Sequence, residues 1–210
     1  ATHFDQLKDL INPSYVDQGQ QARNSRSKLI TNLITQRRLP ATPWDDISIE
    51  SFLQDLAIMD SNTFPGNVGV GEREGRIACD LVAKRHYGLT HGIGRSGDVQ
   101  AQQPKAAGSS VILKLTQCLA MDAIRQAGIP SIKSCVVLPL ATGMSIALVF
   151  GALRKSRPRG KYIVWSRIDQ KSCFKAIGAA GYEAVVVELK RVEGSDALRT
   201  DVEGIRAAIE

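Results

Sequence analysis

The chain has 210 residues, 43% of them hydrophobic, so it can bury a core and does not belong to the disordered class. Lysine and arginine number 27 against 21 acidic residues, and the net charge of +6 suits a polyanionic partner without requiring one. No apolar run approaches the roughly 20 residues that a membrane span needs. The four cysteines lack the paired spacing of a zinc site or a disulfide framework. We therefore expect a cytoplasmic protein without a membrane span or a bound metal.

The first 60 residues carry two helical patterns. In residues 1–39 an apolar stripe is surrounded by arginines and lysines, and Pro40 ends the pattern. This amphipathic helix is expected either to pack on its own domain or to form an interface. A second helix follows, and its spacing predicts one buried face that ends near Asp60. The two stripes are Leu29, Ile30, Leu33 and Ile34, and then Ile49, Phe52, Leu53, Leu56 and Met59.

A stretch rich in turn formers, residues 61–71, precedes a charged segment. It predicts that a new helix begins near Glu72 and Arg73. An acidic residue suits the positive end of a helix dipole, whereas a cation there is unfavourable unless an anion lies near it. Arg73 therefore indicates a possible anion site.

Residues 91–110 form a second glycine-rich stretch, which contains Arg95, Ser96 and Lys105. Backbone N–H groups of such a loop can converge on a phosphate while the cations neutralise it. The spacing matches neither the dinucleotide fingerprint nor the Walker A loop. Glycines that only permit tight turns therefore remain an alternative.

The second half of the chain changes to strands that alternate with helices. A helix around Leu115 ends at Gly128 and Pro130, and later helices are predicted beyond residue 145, over 170–180 and from 201 onward. Strands are predicted at 135–138, 162–165 and 184–189. Alternation of this kind predicts a parallel sheet covered on both faces, with ligands at the carboxyl ends of its strands. The basic run at 154–161 is either a solvated connection or an RNA contact.

The turn at residues 139–143 stands between a predicted strand and a predicted helix. This arrangement offers a phosphate to a helix N-terminus, with N–H groups from Thr142, Gly143 and Met144. An ordinary turn, in which Gly143 is needed only for packing, is the alternative.

Five motifs in this sequence stand in the order and at the separations of one enzyme family. They are G-V-G-E-R-E-G-R (69–76), H-G-I-G-R-S-G-D (91–98), Q-P-K-A-A-G-S-S (103–110), P-L-A-T-G-M-S (139–145) and R-I-D-Q-K-S-C-F-K (167–175). Together they closely resemble the N-terminal part of the O-phosphoseryl-tRNA(Sec) selenium transferases, the selenocysteine synthases of archaea and eukaryotes. The resemblance runs from about Asn12 to the last residue.

The resemblance implies an α/β fold, the large domain of a fold type I, aspartate-aminotransferase-like transferase with an incomplete parallel sheet. Residues 1–44 would form an N-terminal helical oligomerisation extension, and residues 45–210 the N-terminal part of the large domain. The cofactor implied is pyridoxal 5'-phosphate. The implied reaction converts O-phosphoseryl-tRNA(Sec) to selenocysteinyl-tRNA(Sec) with selenophosphate, by phosphate elimination and selenium addition, in a homotetramer that binds tRNA.

The same resemblance assigns roles to individual residues. Cofactor binding is implied for Arg73, Ala141, Thr142, Gly143 and Gln170. Binding of the substrate's phosphate is implied for Arg95, Ser96 and Gln103. Glu72 would act as a substrate filter, because its carboxylate repels a free α-carboxylate and so favours an esterified amino acid. Lys105, Lys171 and Ser172 lie beside these motifs and are secondary candidates.

One feature of the family falls outside this sequence. In fold type I the lysine that holds the cofactor as a Schiff base comes from a later strand, so the resemblance implies that it lies beyond residue 210. We therefore expect a fragment that is inactive alone. Two alternatives remain: a non-catalytic tRNA-binding or assembly protein, and another fold type I enzyme that acts on a small free substrate.

Overall fold

The structure, a computed structural model, describes residues 3–61, 64, 77, 79–89 and 97–210. The chain divides into two compact units, residues 1–137 and 138–210. The described helices of the first unit are α1 (His3–Leu7), α2 (Pro13–Gln36), α3 (Asp46–Ala57), α4 (Asp80–Arg85) and α5 (Ala107–Gln126). The elements of the second are α6 (Thr142–Ser156), β1 (Tyr162–Ser166), α7 (Lys171–Ala179), β2 (Glu183–Val187), β3 (Lys190–Arg191), β4 (Leu198–Arg199) and α8 (Val202–Ile209). No described helix is long and apolar enough to cross a membrane.

Local capping sets both ends of α2. The Asn12 side chain accepts a hydrogen bond from a first-turn backbone N–H at 3.0 Å, and Pro13 occupies a position that needs no intrahelical donor. The helix ends where Arg37 adopts a left-handed conformation (φ 53°) and donates its N–H to the carbonyl of Leu33. The helical pattern thus ends before Pro40, as predicted, although it is divided between α1 and α2.

The first unit has its core where α2, α3 and α5 meet. Four buried side chains form it, and Trp44 packs edge-on against Phe52 with ring centroids 6.1 Å apart. The predicted face of α3 is only partly right, because Ile49 and Met59 are 41% and 45% exposed. The buried face is instead turned toward α5. The four core residues are Leu33, Phe52, Leu56 and Leu115.

Helices α3 and α5 lie in close contact at Gly108. A Cβ added at Gly108 would overlap the carbonyl group of Leu56, so no larger residue fits there without moving a helix. Next to this contact, the fully buried Asp60 accepts hydrogen bonds from the backbone N–H and the hydroxyl of Ser109, at 3.0 and 2.5 Å. The end of α3 thus caps the start of α5.

In the second unit β1 and β2 pair in parallel, from Tyr162 with Glu183 to Ser166 with Val187, and α7 connects them. The predicted strands at 162–165 and 184–189, the helix at 170–180 and the parallel pairing are confirmed. The strand predicted at 135–138 is wrong: these residues join no ladder in the described chain, and Val136 is 44% exposed. A strand needs a neighbour for its backbone groups, and β1 pairs only with β2 in the described chain.

Helix α6 packs along α7 and is fixed at its C-terminal end by Arg154. The guanidinium of Arg154 donates to the carbonyls of Ala180 and Gly181, and it lies 5.5 Å from the ring centroid of Tyr182. The Phe150 ring packs edge-on against the same tyrosine. These contacts hold the far ends of the two helices together and leave their N-termini side by side.

Asp201 caps α8 and pairs with Lys190. One of its oxygens accepts from the backbone N–H of Gly204 at 3.0 Å, and Lys190 Nζ lies 2.8 Å away. Lys190 and the Gly204 N–H hold the pKa of Asp201 below its ordinary value of 3.8. The folded state therefore favours the carboxylate, which is a stabilising contribution at neutral pH.

Gly108→Ala is expected to destabilise the protein by about 1–3 kcal/mol, because the added methyl group must displace the Leu56 carbonyl. Urea unfolding measures this. Gly151→Ala, in α6, is the matched control: nothing lies within 4 Å of its added Cβ, and alanine favours a helix interior. Equal unfolding midpoints for Gly108→Ala and the wild type would contradict the contact.

Acid titration is expected to remove the contribution of Asp201. Because the folded pKa of Asp201 is lowered, its stabilisation is present above pH 3.8 and is lost as the pH falls through the folded pKa. Asp201→Asn keeps a capping oxygen but no charge, so its stability deficit should shrink between pH 7 and low pH. A deficit that stays constant with pH for Asp201→Asn would refute the ion pair's role.

Candidate functional site

The candidate site of the second unit lies where α6 and α7 begin. A Cβ added at Gly143 would lie 3.1 Å from both the Cβ and the carbonyl oxygen of Ser172. Only glycine allows this approach without displacing a neighbour. Ala141 and Gln170 are the N-cap residues of the two helices, so these two predicted residues flank one junction.

The junction presents six backbone N–H groups that have no acceptor in the described chain. The first three N–H groups of an α-helix have no intrahelical partner, and neither N-cap side chain accepts one here. Neither first turn contains an acidic residue. The donors are those of Thr142, Gly143 and Met144 in α6, and of Lys171, Ser172 and Cys173 in α7.

Two helix N-termini that meet in this way make a site for an anion. Each carries the positive end of a helix dipole, and phosphate groups bind to single helix N-termini of this kind in many proteins. The exposed hydroxyls of Thr142 and Ser172 can add hydrogen bonds. The geometry therefore fits a phosphate group, and a Cβ at Gly143 would occupy part of the space between the helices.

A cavity of about 450 Å³ lies beside Gln170, at the carboxyl ends of β1 and β2. Trp165 and Phe174 line it, with ring centroids 6.3 Å apart in an edge-on arrangement. Arg167 and Glu188 form an exposed ion pair at its edge, with Nη1 and Oε1 2.8 Å apart, which raises the pKa of the arginine. Such a cavity can take a planar ring attached to a phosphate held at the junction.

In the first unit, Gln103 lies on the turn that precedes α5. It lines a cavity of about 800 Å³ whose cations, Arg37 and Lys114, form no ion pair within the part of the chain that the structure describes. Gln117 also lines this cavity; it is 9% exposed, and its Nε2 has no hydrogen-bond partner there. The cavity is therefore suited to a ligand that carries hydrogen-bond acceptors.

The predicted site residues fall into three groups. Ala141, Thr142, Gly143 and Gln170 come together at the junction, and Gln103 belongs to the other unit. The remaining four predicted residues lie outside the described residues: Glu72, Arg73, Arg95 and Ser96.

A model of the O-phosphoseryl-tRNA(Sec) selenium transferases matches residues 59–210, a span that includes the junction and the Gln103 turn. The chain belongs to this family. The transferase of Dictyostelium discoideum is 47% identical over 210 residues, which cover 99% of this chain and 43% of that protein. That of Methanopyrus kandleri is 34% identical, over 97% of this chain and 46% of its own length.

A crystal structure of an archaeal O-phosphoseryl-tRNA(Sec) selenium transferase has the same fold, with a TM-score of 0.83 at 32% identity. The match covers 95% of this chain and 45% of that one. The chain thus spans less than half the length of these relatives.

Two groups of residues matter more in the structure than the sequence indicated. The N–H groups of α7 contribute half of the donors at the junction, although Lys171 and Ser172 were only secondary candidates. Their position at a helix start after a parallel strand was the available signal. Ser110 stands in the 103–110 motif and Asp60 at a predicted helix end, but the sequence did not indicate their hydrogen bonds to Gln103 and Ser109.

Gly143→Ala is expected to weaken phosphate binding at the junction about threefold to tenfold, since the methyl group must push the two helix starts apart. Isothermal titration calorimetry of the full-length protein with inorganic phosphate measures the dissociation constant. Gly151→Ala, two turns further along α6, has open space around its added Cβ and should bind as the wild type does. An unchanged dissociation constant for Gly143→Ala would exclude the junction as the phosphate site.

Proposed function

We propose that this chain is the N-terminal part of an enzyme that converts O-phosphoseryl-tRNA(Sec) to selenocysteinyl-tRNA(Sec). Selenophosphate supplies the selenium, after the substrate's phosphate has been eliminated. The family match across residues 59–210 supports the reaction. The observation that carries the proposal at the level of atoms is the junction of two helix N-termini at Gly143 and Ser172.

The cofactor proposed for the junction is pyridoxal 5'-phosphate, in a fold type I large domain. Ala141, Thr142 and Gly143 hold its phosphate through backbone N–H groups and the Thr142 hydroxyl, and Arg73 neutralises charge beside it. Gln170 lies at the edge of the cavity proposed for the ring. When bound, pyridoxal phosphate supplies an electron sink for negative charge at the substrate's α-carbon.

The substrate's phosphate is proposed to bind Arg95, Ser96 and Gln103. A guanidinium offers two parallel hydrogen bonds to a phosphate, and the hydroxyl and the amide add neutral donors. These groups stabilise the negative charge that the leaving phosphate carries away. Glu72 excludes free phosphoserine, because its carboxylate repels the free α-carboxylate of that amino acid, which is esterified in the tRNA-bound form.

The N-terminal residues 1–44 are proposed to form the oligomerisation extension of a cytoplasmic homotetramer that binds tRNA. Basic residues of α2, among them Arg23 and Lys28, are exposed and suit a polyanionic partner. Leu33 in the same helix packs into the core with α3 and α5, which anchors the extension to these two helices.

The proposed function is tested in the full-length enzyme by Arg95→Ala combined with Ser96→Ala. Loss of a charge-assisted clamp on the leaving group is expected to lower kcat/KM for phosphoseryl-tRNA by about 10- to 100-fold. The control, Lys133→Ala, removes an exposed cation that lies outside the basic run at 154–161 and should leave kcat/KM unchanged. Conversion at an undiminished rate by the double variant, or equal use of free phosphoserine by the wild type, would contradict the proposal.

A further inference from the structure

The turn that carries Gln103 is closed by one buried hydroxyl. Ser110 Oγ, in the first turn of α5, accepts a hydrogen bond from the Gln103 N–H at 2.9 Å and donates one to the Ala106 carbonyl at 2.9 Å. A second bond within the turn joins the Ala106 N–H to the Gln103 carbonyl at 3.0 Å. Ser110 is 8% exposed, so water does not readily replace its hydroxyl.

A second set of contacts holds the same turn from the outside. The backbone N–H of Ser61 donates to the Lys105 carbonyl at 2.9 Å, and the Ser61 hydroxyl lies 3.2 Å from the same oxygen. Asp60 and Ala106 form an isolated antiparallel bridge, and Ala106 is 2% exposed. The turn is thus fixed against the end of α3 on one side and against α5 on the other.

We propose that Ser110 is a positioning residue for the substrate's phosphate, acting through the backbone of Gln103. This inference rests on the proposed function, in which the Gln103 amide contacts that phosphate. A hydroxyl that only bonded to the carbonyl four residues earlier would stabilise the helix little. Ser110 Oγ also accepts a hydrogen bond from the backbone N–H of Gln103, which lies outside the helix.

The physical consequence concerns the placement of one side chain. Without the Ser110 hydroxyl, the Gln103 N–H has lost its acceptor and the turn can relax toward water. A shift of a fraction of an ångström in the backbone moves the amide at the end of the side chain away from an oxyanion. Positioning errors of this size are costly where a small charged group must be held.

The test compares Ser110→Ala with Ser109→Ala in the full-length enzyme. Both remove a hydroxyl from the first turn of α5, but the Ser109 hydroxyl bonds to the Asp60 side chain and not to the turn. In Ser109→Ala the residue 109 N–H still donates to that side chain, and the bridge between Asp60 and Ala106 is a backbone contact. Ser110→Ala is expected to raise the KM for phosphoseryl-tRNA and the inhibition constant of inorganic phosphate about tenfold, with less change in kcat. Ser109→Ala should lower the melting temperature while the inhibition constant stays within about twofold of the wild type.

Two further variants complete the design. Ser110→Thr keeps the hydroxyl and is expected to retain the wild-type inhibition constant. If Ser110→Ala is not recovered folded, Ser110→Cys replaces it, because a thiol keeps the volume but is a weak hydrogen-bond partner. An unchanged inhibition constant for Ser110→Ala, or for Ser110→Cys where it is used instead, or an equal rise for Ser109→Ala, overturns the inference.

Gln103→Ala separates this inference from the proposed function. If it weakens phosphate inhibition and Ser110→Ala does not, the role of Gln103 stands and the role of Ser110 fails. If Gln103→Ala itself has no effect, the proposed phosphate contact of Gln103 fails, and the inference about Ser110 fails with it.

Discussion

The close approach of α6 and α7 at Gly143 is the constraint on which the chemistry of the second unit depends. Two positive helix ends repel each other, and each leaves three N–H groups without an acceptor in the described chain. Packing elsewhere offsets this cost, because Arg154 joins α6 to the segment that follows α7. The unfavourable convergence is thus imposed by the fold, and an anion is the ligand that relieves it.

In the first unit, too, a glycine allows two helices to come into close contact. Gly108 lets α5 meet α3, and Asp60 accepts hydrogen bonds from the N–H and the hydroxyl of Ser109 in the first turn of α5. Here a buried carboxylate already occupies the position that an anion could take, so this helix start is a structural support. Its role is to hold the turn before it, which Ser110 closes. Whether a helix start binds a ligand or a side chain therefore depends on the partner that the fold supplies.

Sequence patterns predicted the helices and the parallel strand pair well, because capping and periodicity are local. They failed where the outcome depends on a neighbour. The segment at 135–138 has the composition of a buried strand but has no pairing strand in the described chain. The buried face of α3 was predicted only in part, because neighbouring faces of this helix also carry apolar residues such as the exposed Ile49. At the site, the resemblance supplied Gly143 and Gln170, and the packing of α6 on α7 brings them together, not a strand before α6. The contact of Asp60 with Ser109 spans 49 residues and could not be predicted from local pattern.

Under the proposed function, the two phosphates are bound by different kinds of donor, and their residence times explain why. A cofactor phosphate stays through many turnovers, so backbone N–H groups on two packed helices can hold it without moving. The substrate's phosphate must enter with the tRNA and leave after elimination, and the donors proposed for it are mainly side chains. Gln103 is the one of these donors that the described chain holds in place, through the turn from Gln103 to Ala106. Loosening that turn should therefore affect substrate phosphate binding more than cofactor binding.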